Sequence, residues 1–408
     1  MRSSSRKGII VVALSAIFLS ACDPREFDTL RLKAPIQALA QPEDMDSSQY
    51  PTFVLPVEAP RGNAELLVTG TDNVALADFA FGPNGSLGVD TVTNDRFLFD
   101  GRPVGPLAFA APLSKAPTGA PRFVAVTAAD WQPLVVTLDS SEESFGVGAL
   151  GSPLPIEVGA LAVGDSRGTG EEDIVLVAGT QLVVYPGGRP EAAESCDLTS
   201  TVGALAVGDG WIVAGQGAGS GNAWVVRPPY AADGGLCSDV TQLTGHSNAV
   251  GFGTTLVVAD LEGDGSREIL VAAPRERAVY FYSAHGDQVR PPKVFAGQST
   301  ALGTAMAMGI LEGTRLLIVG DPGDPADETA PGTVLFYDPA RDEDLTPLER
   351  PTTEVQRFGT QVGIVKFDGK DGRVDLLYVT AKAVDQRDPG AVYVYFWTRD
   401  SRSDPRTF

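Results

Sequence analysis

The feature that most constrains how this chain can fold is a unit of short apolar runs that recurs in its C-terminal half. Self-similarity at about 40 to 50 residues is typical of propeller blades, in which each repeat is one four-stranded sheet. One such sheet cannot bury both of its faces alone, so the units are expected to stack into a ring. Each copy begins at a dipeptide ending in glycine and continues through further runs: Phe252-Gly253 with 256–259, 269–274 and 278–282; Leu302-Gly303 with 306–310, 316–322 and 332–337; Phe358-Gly359 with 371–375, 376–379 and 391–397.

The rest of the chain repeats this pattern less clearly. The 46 glycines and 30 prolines interrupt almost every stretch that is long enough for a helix, which indicates an all-β protein. We predict a single β-propeller of four-stranded antiparallel sheets over residues 51–398. Seven blades fit the spacing best, and six or eight are also compatible with it. The segment 51–55 is expected either to complete the last blade beside 391–397 or to start the first. The four earlier units hold the runs 74–78, 97–99 and 107–112; 123–126 and 134–138; 158–163 and 174–177; 204–207 and 211–215.

The three C-terminal copies resemble the FG-GAP repeats of integrin α-subunit β-propellers, which are named for their Phe-Gly and Gly-Ala-Pro signatures. Phe252-Gly253 and Phe358-Gly359 match the first signature, and Ala272-Ala273-Pro274 is similar to the second. The resemblance covers the last three units well, the two before them moderately and the first two poorly. It implies a propeller that presents loops to a partner and binds calcium in its hairpins.

The first 21 residues have the pattern of a secretory signal. Arg2, Arg6 and Lys7 precede the apolar run 8–19, which is too short to span a bilayer as a mature helix. The run ends in Leu19-Ser20-Ala21-Cys22, which resembles the lipobox of bacterial lipoproteins. Cys22 is therefore predicted to carry lipid, although a plain signal peptide containing a cysteine fits the same residues.

Residues 22–50 are mixed and polar, and we predict that they tether the ring to a membrane. This places the protein in a bacterial cell envelope, with membrane contact through the N-terminal lipid only. Asp23 resembles an inner-membrane retention signal of some enteric bacteria. The sequence therefore leaves open whether the protein lies at the outer membrane or cell surface, or on the inner membrane facing the periplasm. Residues 399–408 form a short tail.

An acidic loop joins two apolar runs of the clearest copy. Oxygen-rich calcium loops take side-chain ligands from positions one, three, five and nine, a backbone carbonyl from position seven, and glycine at sharp bends. Because the acidic side chains would repel one another in an empty loop, we predict a calcium site there. A solvated acidic turn is the alternative. The five ligand positions are occupied by Asp260, Glu262, Asp264, Ser266 and Glu268.

Two other loops keep parts of this pattern. The loop 165–173 retains Asp165, Thr169 and Asp173, but its third position is Arg167, which cannot ligate a cation, so it is a weak metal candidate. In the last copy only Asp371 and Asp375 match ligand positions, because Phe367 and Gly369 stand at the first and third. We expect that hairpin to keep its turn without a metal.

Two cysteines remain in the mature chain besides Cys22. Cys196 and Cys237 are 41 positions apart, near one blade length, and each follows a candidate outer strand. In an oxidising compartment, equivalent positions on adjacent blades can bridge, so we predict a disulfide. Two buried thiols or a metal pair are the alternatives, the second being weaker because no histidine lies near either cysteine.

The net charge and the motifs of the chain limit the classes of function that it can have. Without the three basic residues of the signal, the mature chain has 28 basic and 52 acidic residues, a net charge of −24, which argues against nucleic-acid binding. His246 and His285 lie in no catalytic motif, and the sequence predicts no enzyme. The favoured function is an adhesion or binding module for a protein or glycan partner. The alternatives are an envelope-assembly scaffold lipoprotein and a propeller enzyme acting on polysaccharide or phospholipid.

Overall fold

The structure of the protein is a computed structural model. The signal segment, Cys22, His246, Asp371 and the C-terminal tail lie outside the residues that it describes. Among the residues described, no helix is long and apolar enough to cross a membrane. The described residues are 36–39, 53–58, 64–69, 74–81, 87–94, 98–99, 102–103, 106–113, 122–139, 144–217, 221–227, 235–245, 250–296, 299–311, 313–324, 326–327, 329–353, 355–369, 372–383 and 390–396.

Nearly all regular structure in these residues is antiparallel β-strand. Single turns of 3₁₀ helix occur at Pro186–Gly188, Pro190–Ala192 and Pro274–Glu276. The strands, in chain order, are β1 (Ile36–Leu39), β2 (Phe53–Glu58), β3 (Ala64–Thr69), β4 (Val74–Phe81), β5 (Leu87–Asn94), β6 (Leu98–Phe99), β7 (Arg102–Pro103), β8 (Leu107–Leu113), β9 (Arg122–Thr127), β10 (Pro133–Asp139), β11 (Ser144–Ala149), β12 (Val158–Gly164), β13 (Asp173–Ala178), β14 (Gln181–Tyr185), β15 (Glu194–Asp197), β16 (Ala204–Gly208), β17 (Trp211–Gly215), β18 (Ala223–Val226), β19 (Val240–Leu243), β20 (Leu256–Ala259), β21 (Glu268–Ala273), β22 (Ala278–Tyr282), β23 (Gln288–Val294), β24 (Ala305–Leu311), β25 (Thr314–Asp321), β26 (Thr333–Asp338), β27 (Glu343–Glu349), β28 (Val355–Gln356), β29 (Val362–Gly369), β30 (Gly372–Ala383) and β31 (Ala391–Phe396).

The sheets form a β-propeller, as the sequence predicts. Six sheets have four antiparallel strands each, in the order β2 to β5, β8 to β11, β12 to β15, β16 to β19, β20 to β23 and β24 to β27. We number them blades 1 to 6. Their innermost strands contact one another in succession around the ring.

A five-stranded sheet lies between blade 6 and blade 1, because β29 contacts both β24 and β2. It contains β28, β29, β30 and β31, together with β1 from the N-terminal part of the chain. The prediction of seven four-stranded blades is therefore wrong, and the alternative of six, which the spacing also allows, agrees with the structure. Among the described residues, six sheets have four strands and the sheet that contains β1 and β31 has five.

The N-terminal part of the chain departs most from prediction. Leu107–Leu113, predicted to belong to the first unit, is the innermost strand of blade 2, and Leu98–Phe99 pairs only with Arg102–Pro103. Phe53–Glu58 starts blade 1, while Ile36–Leu39 pairs with the last strand. The tether predicted for residues 22–50 therefore excludes these four residues. Apolar runs without the Phe-Gly signature predict strands but do not assign them to a blade.

The Phe-Gly signature marks the joint between adjacent blades. Phe252 is buried and packs edge-to-face on Tyr280, with ring centroids 5.2 Å apart. Phe358 makes the equivalent contact with Tyr393 at 6.0 Å. A buried aromatic pair of this kind contributes about 0.5 to 1.5 kcal/mol beyond its buried area. The core of the propeller thus lies between facing sheets, where these rings fill the gap.

The glycine of the signature is required by close approach and by backbone geometry. Gly359 has a φ of 94°, donates its N–H to Thr380 O at 3.0 Å, and would place a Cβ 2.6 Å from Thr333 O in the neighbouring blade. Gly253 has a φ of 87° and meets the preceding blade in the same way. Any side chain there would force the two blades apart.

Candidate functional site

The propeller has two faces, which the direction of its strands defines. We call the face that carries the first-to-second and third-to-fourth strand connections the AB face. It includes AB loop 3 (residues 165–172) and AB loop 5 (residues 260–267). The opposite face, which carries the other connections, is the BC face. It includes residues 150–157, 274–277 and 322–332. All the metal ligands predicted from sequence in the two loops lie on the AB face or at its edge.

In AB loop 5 the backbone folds around the side chain of Asp260. Its two carboxylate oxygens accept the N–H groups of Gly263 at 2.5 Å and Gly265 at 3.2 Å. Both glycines have positive φ angles, of 82° and 91°. Asp264 accepts the N–H of Ser266 at 2.8 Å, and Glu268 accepts that of Leu261 at 2.8 Å. The loop is therefore closed by its own backbone donors.

Two arginines from outside AB loop 5 contact its carboxylates. Arg315, in the second strand of blade 6, has its Nη1 atom 3.2 Å from the Oδ2 atom of Asp260, and it also donates to the carbonyl of Asp260. Arg290, in the outermost strand of blade 5, has its Nη2 atom 2.6 Å from the Oε1 atom of Glu262. These long-range partners carry no signal in the local sequence, and reasoning from the sequence missed both.

The environment moves the pKa values of two loop carboxyls in opposite directions. For Asp260, desolvation acts to raise the pKa, but the N–H groups of Gly263 and Gly265 and the charge of Arg315 outweigh it, so the pKa is lowered. For Glu268, desolvation raises the pKa, and the nearby carboxylates of the loop raise it further. At Glu268 the negative charges of the loop thus add to the effect of burial on the pKa, and the N–H group of Leu261 opposes it.

The five predicted calcium ligands are close in sequence but do not converge on one point. Within the part of the chain that the structure describes, no three acidic, histidine or cysteine side chains are grouped as a metal site. A calcium ion needs six to eight oxygen ligands at 2.3–2.6 Å, whereas Asp260 and Glu262 here face guanidinium groups and Glu268 faces a backbone N–H. In this arrangement the carboxylates face donors that the protein itself supplies, and the calcium site predicted from the sequence is not tested by the structure.

AB loop 3 has the same frame with a different partner. Asp165 accepts the N–H groups of Thr169 at 2.8 Å and Gly170 at 2.6 Å. These donors outweigh the effect of desolvation and lower the pKa of Asp165. Asp173 is fully buried and accepts Ser166 Oγ at 2.6 Å and Arg167 Nη2 at 3.2 Å. The arginine that cannot ligate a metal therefore neutralises the buried carboxylate.

The last sheet has no room for a nine-residue loop. Its hairpin pairs Gly369 directly with Gly372, which leaves a two-residue turn. The expectation that this hairpin binds no metal stays a prediction. Asp375 lies in β30, opposite Lys366.

Cys196 and Cys237 form a disulfide, with their Cα atoms 5.8 Å apart. Cys196 lies in β15, the outermost strand of blade 3, and Cys237 precedes β19, the outermost strand of blade 4. Both are half-buried beside a core that includes Leu182 and Trp224. The bond therefore fastens two adjacent blades together at the outer rim.

The innermost strands of blades 2 to 6 are uncharged. Within β8, β12, β16, β20 and β24 there is no Asp, Glu, Lys, Arg or His residue. The innermost strands of the other two sheets do contain charged residues, Glu58 in β2 and Lys366 and Asp368 in β29. His285 lies on an exposed turn of the AB face.

Comparisons with known proteins support the fold and go no further. No protein-family model and no curated protein matches the chain, so the resemblance to FG-GAP repeats remains a prediction. The chain is similar to the computationally designed Ika8 protein, at 15% identity and a TM-score of 0.50, over 88% of this chain and 100% of the other. It is also similar to Hsv2 of Kluyveromyces lactis, at 12% identity and a TM-score of 0.48, over 85% and 98%.

The class that follows from the strand topology is the β-propeller. Such a fold suggests a protein-interaction scaffold, because its rims present many loops on a rigid ring. Neither likeness assigns an activity or a partner to this chain.

Proposed function

We propose that the protein is a cell-envelope binding module, held to a membrane by lipid on Cys22, that presents its BC face to a protein or glycan partner. A propeller suits recognition because loops of different lengths emerge from a rigid frame. Among the fully described connections of the BC face, lengths differ from the two residues between β13 and β14 to the eight residues 150–157.

The observation that carries this proposal is the position of β1. Ile36 pairs with Tyr395, and Leu39 pairs with Val392, so β1 runs antiparallel to β31. The end of β31 lies on the AB face, because β31 is the third strand of its sheet after β29 and β30. The chain therefore enters the propeller from the AB face.

The distance from the predicted anchor to β1 is short. Cys22 and Ile36 are 14 positions apart. A segment of this length reaches about 50 Å when fully extended and about 20 Å on average as a flexible chain. Lipid on Cys22 would hold the AB face towards the membrane, with the BC face on the far side.

Charge on the AB face argues against direct adhesion of that face to anionic lipid. Glu171, Glu262 and Asp264 are exposed there, the first two in ion pairs with Arg189 and Arg290. The remaining negative charge would act on anionic headgroups only within about one Debye length, near 8 Å at physiological salt. The tether then keeps the ring close to the membrane while the acidic loops keep it from lying flat on the lipid.

Site-specific photo-crosslinking in intact cells tests the proposal. A photoreactive residue at Ser152, exposed on the BC face, should give adducts with the partner. The matched position is Ser266, exposed on the AB face, which should give none or only lipid adducts. Both are exposed loop serines, so they differ mainly in the face on which they lie.

Protease treatment of the same intact cells distinguishes the candidate functions. A binding module at the cell surface is lost when intact cells are treated with protease. Protection from protease, together with adducts to outer-membrane barrels, would favour the envelope-assembly scaffold. Partner adducts from Ser266 and none from Ser152 would contradict the proposed orientation.

A further inference from the structure

We propose that arginine guanidinium groups take the place of a metal cation in both acidic AB loops. Arg315 has this role in AB loop 5, and Arg167 has it in AB loop 3. Each hairpin is then closed by a charge that the chain itself supplies, and the propeller does not depend on calcium for its rigidity.

The case for Arg315 rests on where its side chain lies. It comes from blade 6 and reaches the loop of blade 5, where it contacts both the carboxylate and the carbonyl of Asp260. A Cβ on Gly263 would lie 3.3 Å from its Nη2 atom, so the guanidinium covers the turn of the loop. About a third of the Arg315 side chain and a quarter of the Asp260 side chain are exposed. This partly desolvated contact joins two blades as well as closing one loop.

Arg167 neutralises a carboxylate of its own hairpin, that of Asp173. Its Nε and Nη2 atoms lie 3.3 Å and 3.2 Å from the two carboxylate oxygens of Asp173. Asp173 is fully buried and also accepts the N–H of Gly187 at 2.9 Å. Two parallel bonds from a guanidinium to a carboxylate are the geometry that arginine provides and lysine does not. An uncompensated charge at this buried position would be strongly destabilising.

The two loops share the same pattern of backbone hydrogen bonds, so the replacement of a metal cation by an arginine applies to both of them. Asp165 and Asp260 both accept the N–H group five residues later, Gly170 in one loop and Gly265 in the other. The arginines come from different places in the chain, yet each neutralises a carboxylate at a predicted ligand position. Glu262 is paired as well, with Arg290, at 2.6 Å. Of the four acidic residues predicted as calcium ligands, Asp260 and Glu262 are thus paired with guanidinium groups.

Thermal unfolding with and without calcium tests the role of Arg315. In EDTA, Arg315→Ala should lower the Tm of the mature protein by about 1 °C, the shift expected for loss of a partly exposed ion pair in a chain of this length. Addition of 2 mM calcium chloride, roughly the extracellular level at which weak sites fill, should raise the Tm of Arg315→Ala, because Asp260 is then free to bind it. The same addition should leave the Tm of the unmodified protein unchanged.

Two further variants make the result decisive. Arg275→Ala removes an exposed arginine from the BC face and should behave as the unmodified protein in both conditions. Arg315→Lys keeps the charge and should lose less stability than Arg315→Ala. The proposal is overturned if calcium raises the Tm of the unmodified protein, or if Arg315→Ala and the unmodified protein unfold at the same temperature in EDTA.

Discussion

Replacing Phe358 with alanine is expected to destabilise the propeller by about 3 to 5 kcal/mol, because it leaves a cavity where two sheets meet. Phe358 is fully buried, and its ring packs on Tyr393 at 6.0 Å and on Tyr395 at 6.4 Å between centroids. The backbone around it is fixed by Gly359, so neighbouring groups have little freedom to fill the space. Urea unfolding measured by tryptophan fluorescence gives the change.

Ile156→Ala is the matched control for this substitution. Ile156 is a large apolar residue with 53% of its surface exposed, so its truncation should cost less than about 0.5 kcal/mol. If Phe358→Ala lowers the free energy of unfolding by less than about 1 kcal/mol, the Phe358 ring does not hold the two sheets together, and the Phe-Gly signature does not mark a contact between blades.

Loss of the Cys196–Cys237 disulfide is expected to destabilise the protein by about 4 kcal/mol. This value follows from the entropy of closing a loop between cysteines 41 positions apart in the unfolded chain. Reduction with dithiothreitol and the double variant Cys196→Ala/Cys237→Ala should give the same lowered Tm. Both measurements should use the chain with its other residues unchanged.

The double variant is also the control for the reductant. Dithiothreitol should not change its Tm, because Cys22, which is predicted to carry lipid, is then the one cysteine left in the sequence. A Tm of the unmodified protein that is unaffected by reductant would contradict the presence of a stabilising bond between blades 3 and 4.

The sequence predicts the propeller because the physical demands of a blade recur at fixed spacing. A buried apolar residue followed by a glycine with positive φ recurs at the start of each of the last three copies, so Phe252-Gly253, Leu302-Gly303 and Phe358-Gly359 are visible without a structure. The same holds for the turn of AB loop 5, where the glycines and Asp260 satisfy one another locally. Features determined within about ten residues can be predicted in this way.

Features determined across the ring could not be predicted. Arg315 lies 55 positions from Asp260 and has no local reason to be paired with it, so the loop was predicted to need an external cation. Ile36–Leu39 is a short apolar run in a polar segment, and only pairing with β31 makes it a strand. The predicted assignment of strands to blades 1 and 2 is wrong for the same reason. The apolar runs there lack a signature, so only tertiary packing decides which blade each strand joins.

The central claim is that the N-terminal strand joins the last sheet and so determines which face the chain enters. Hydrogen exchange of residues 36–39 and 391–396 tests it most directly, because pairing protects the amides of both strands. We expect both segments to exchange at least about 100-fold more slowly than unstructured chain. Deletion of residues 36–39 should remove protection from the amides of β31 that face β1. Exchange of residues 36–39 at the rate of unstructured chain, with β31 unaffected by the deletion, would contradict this account.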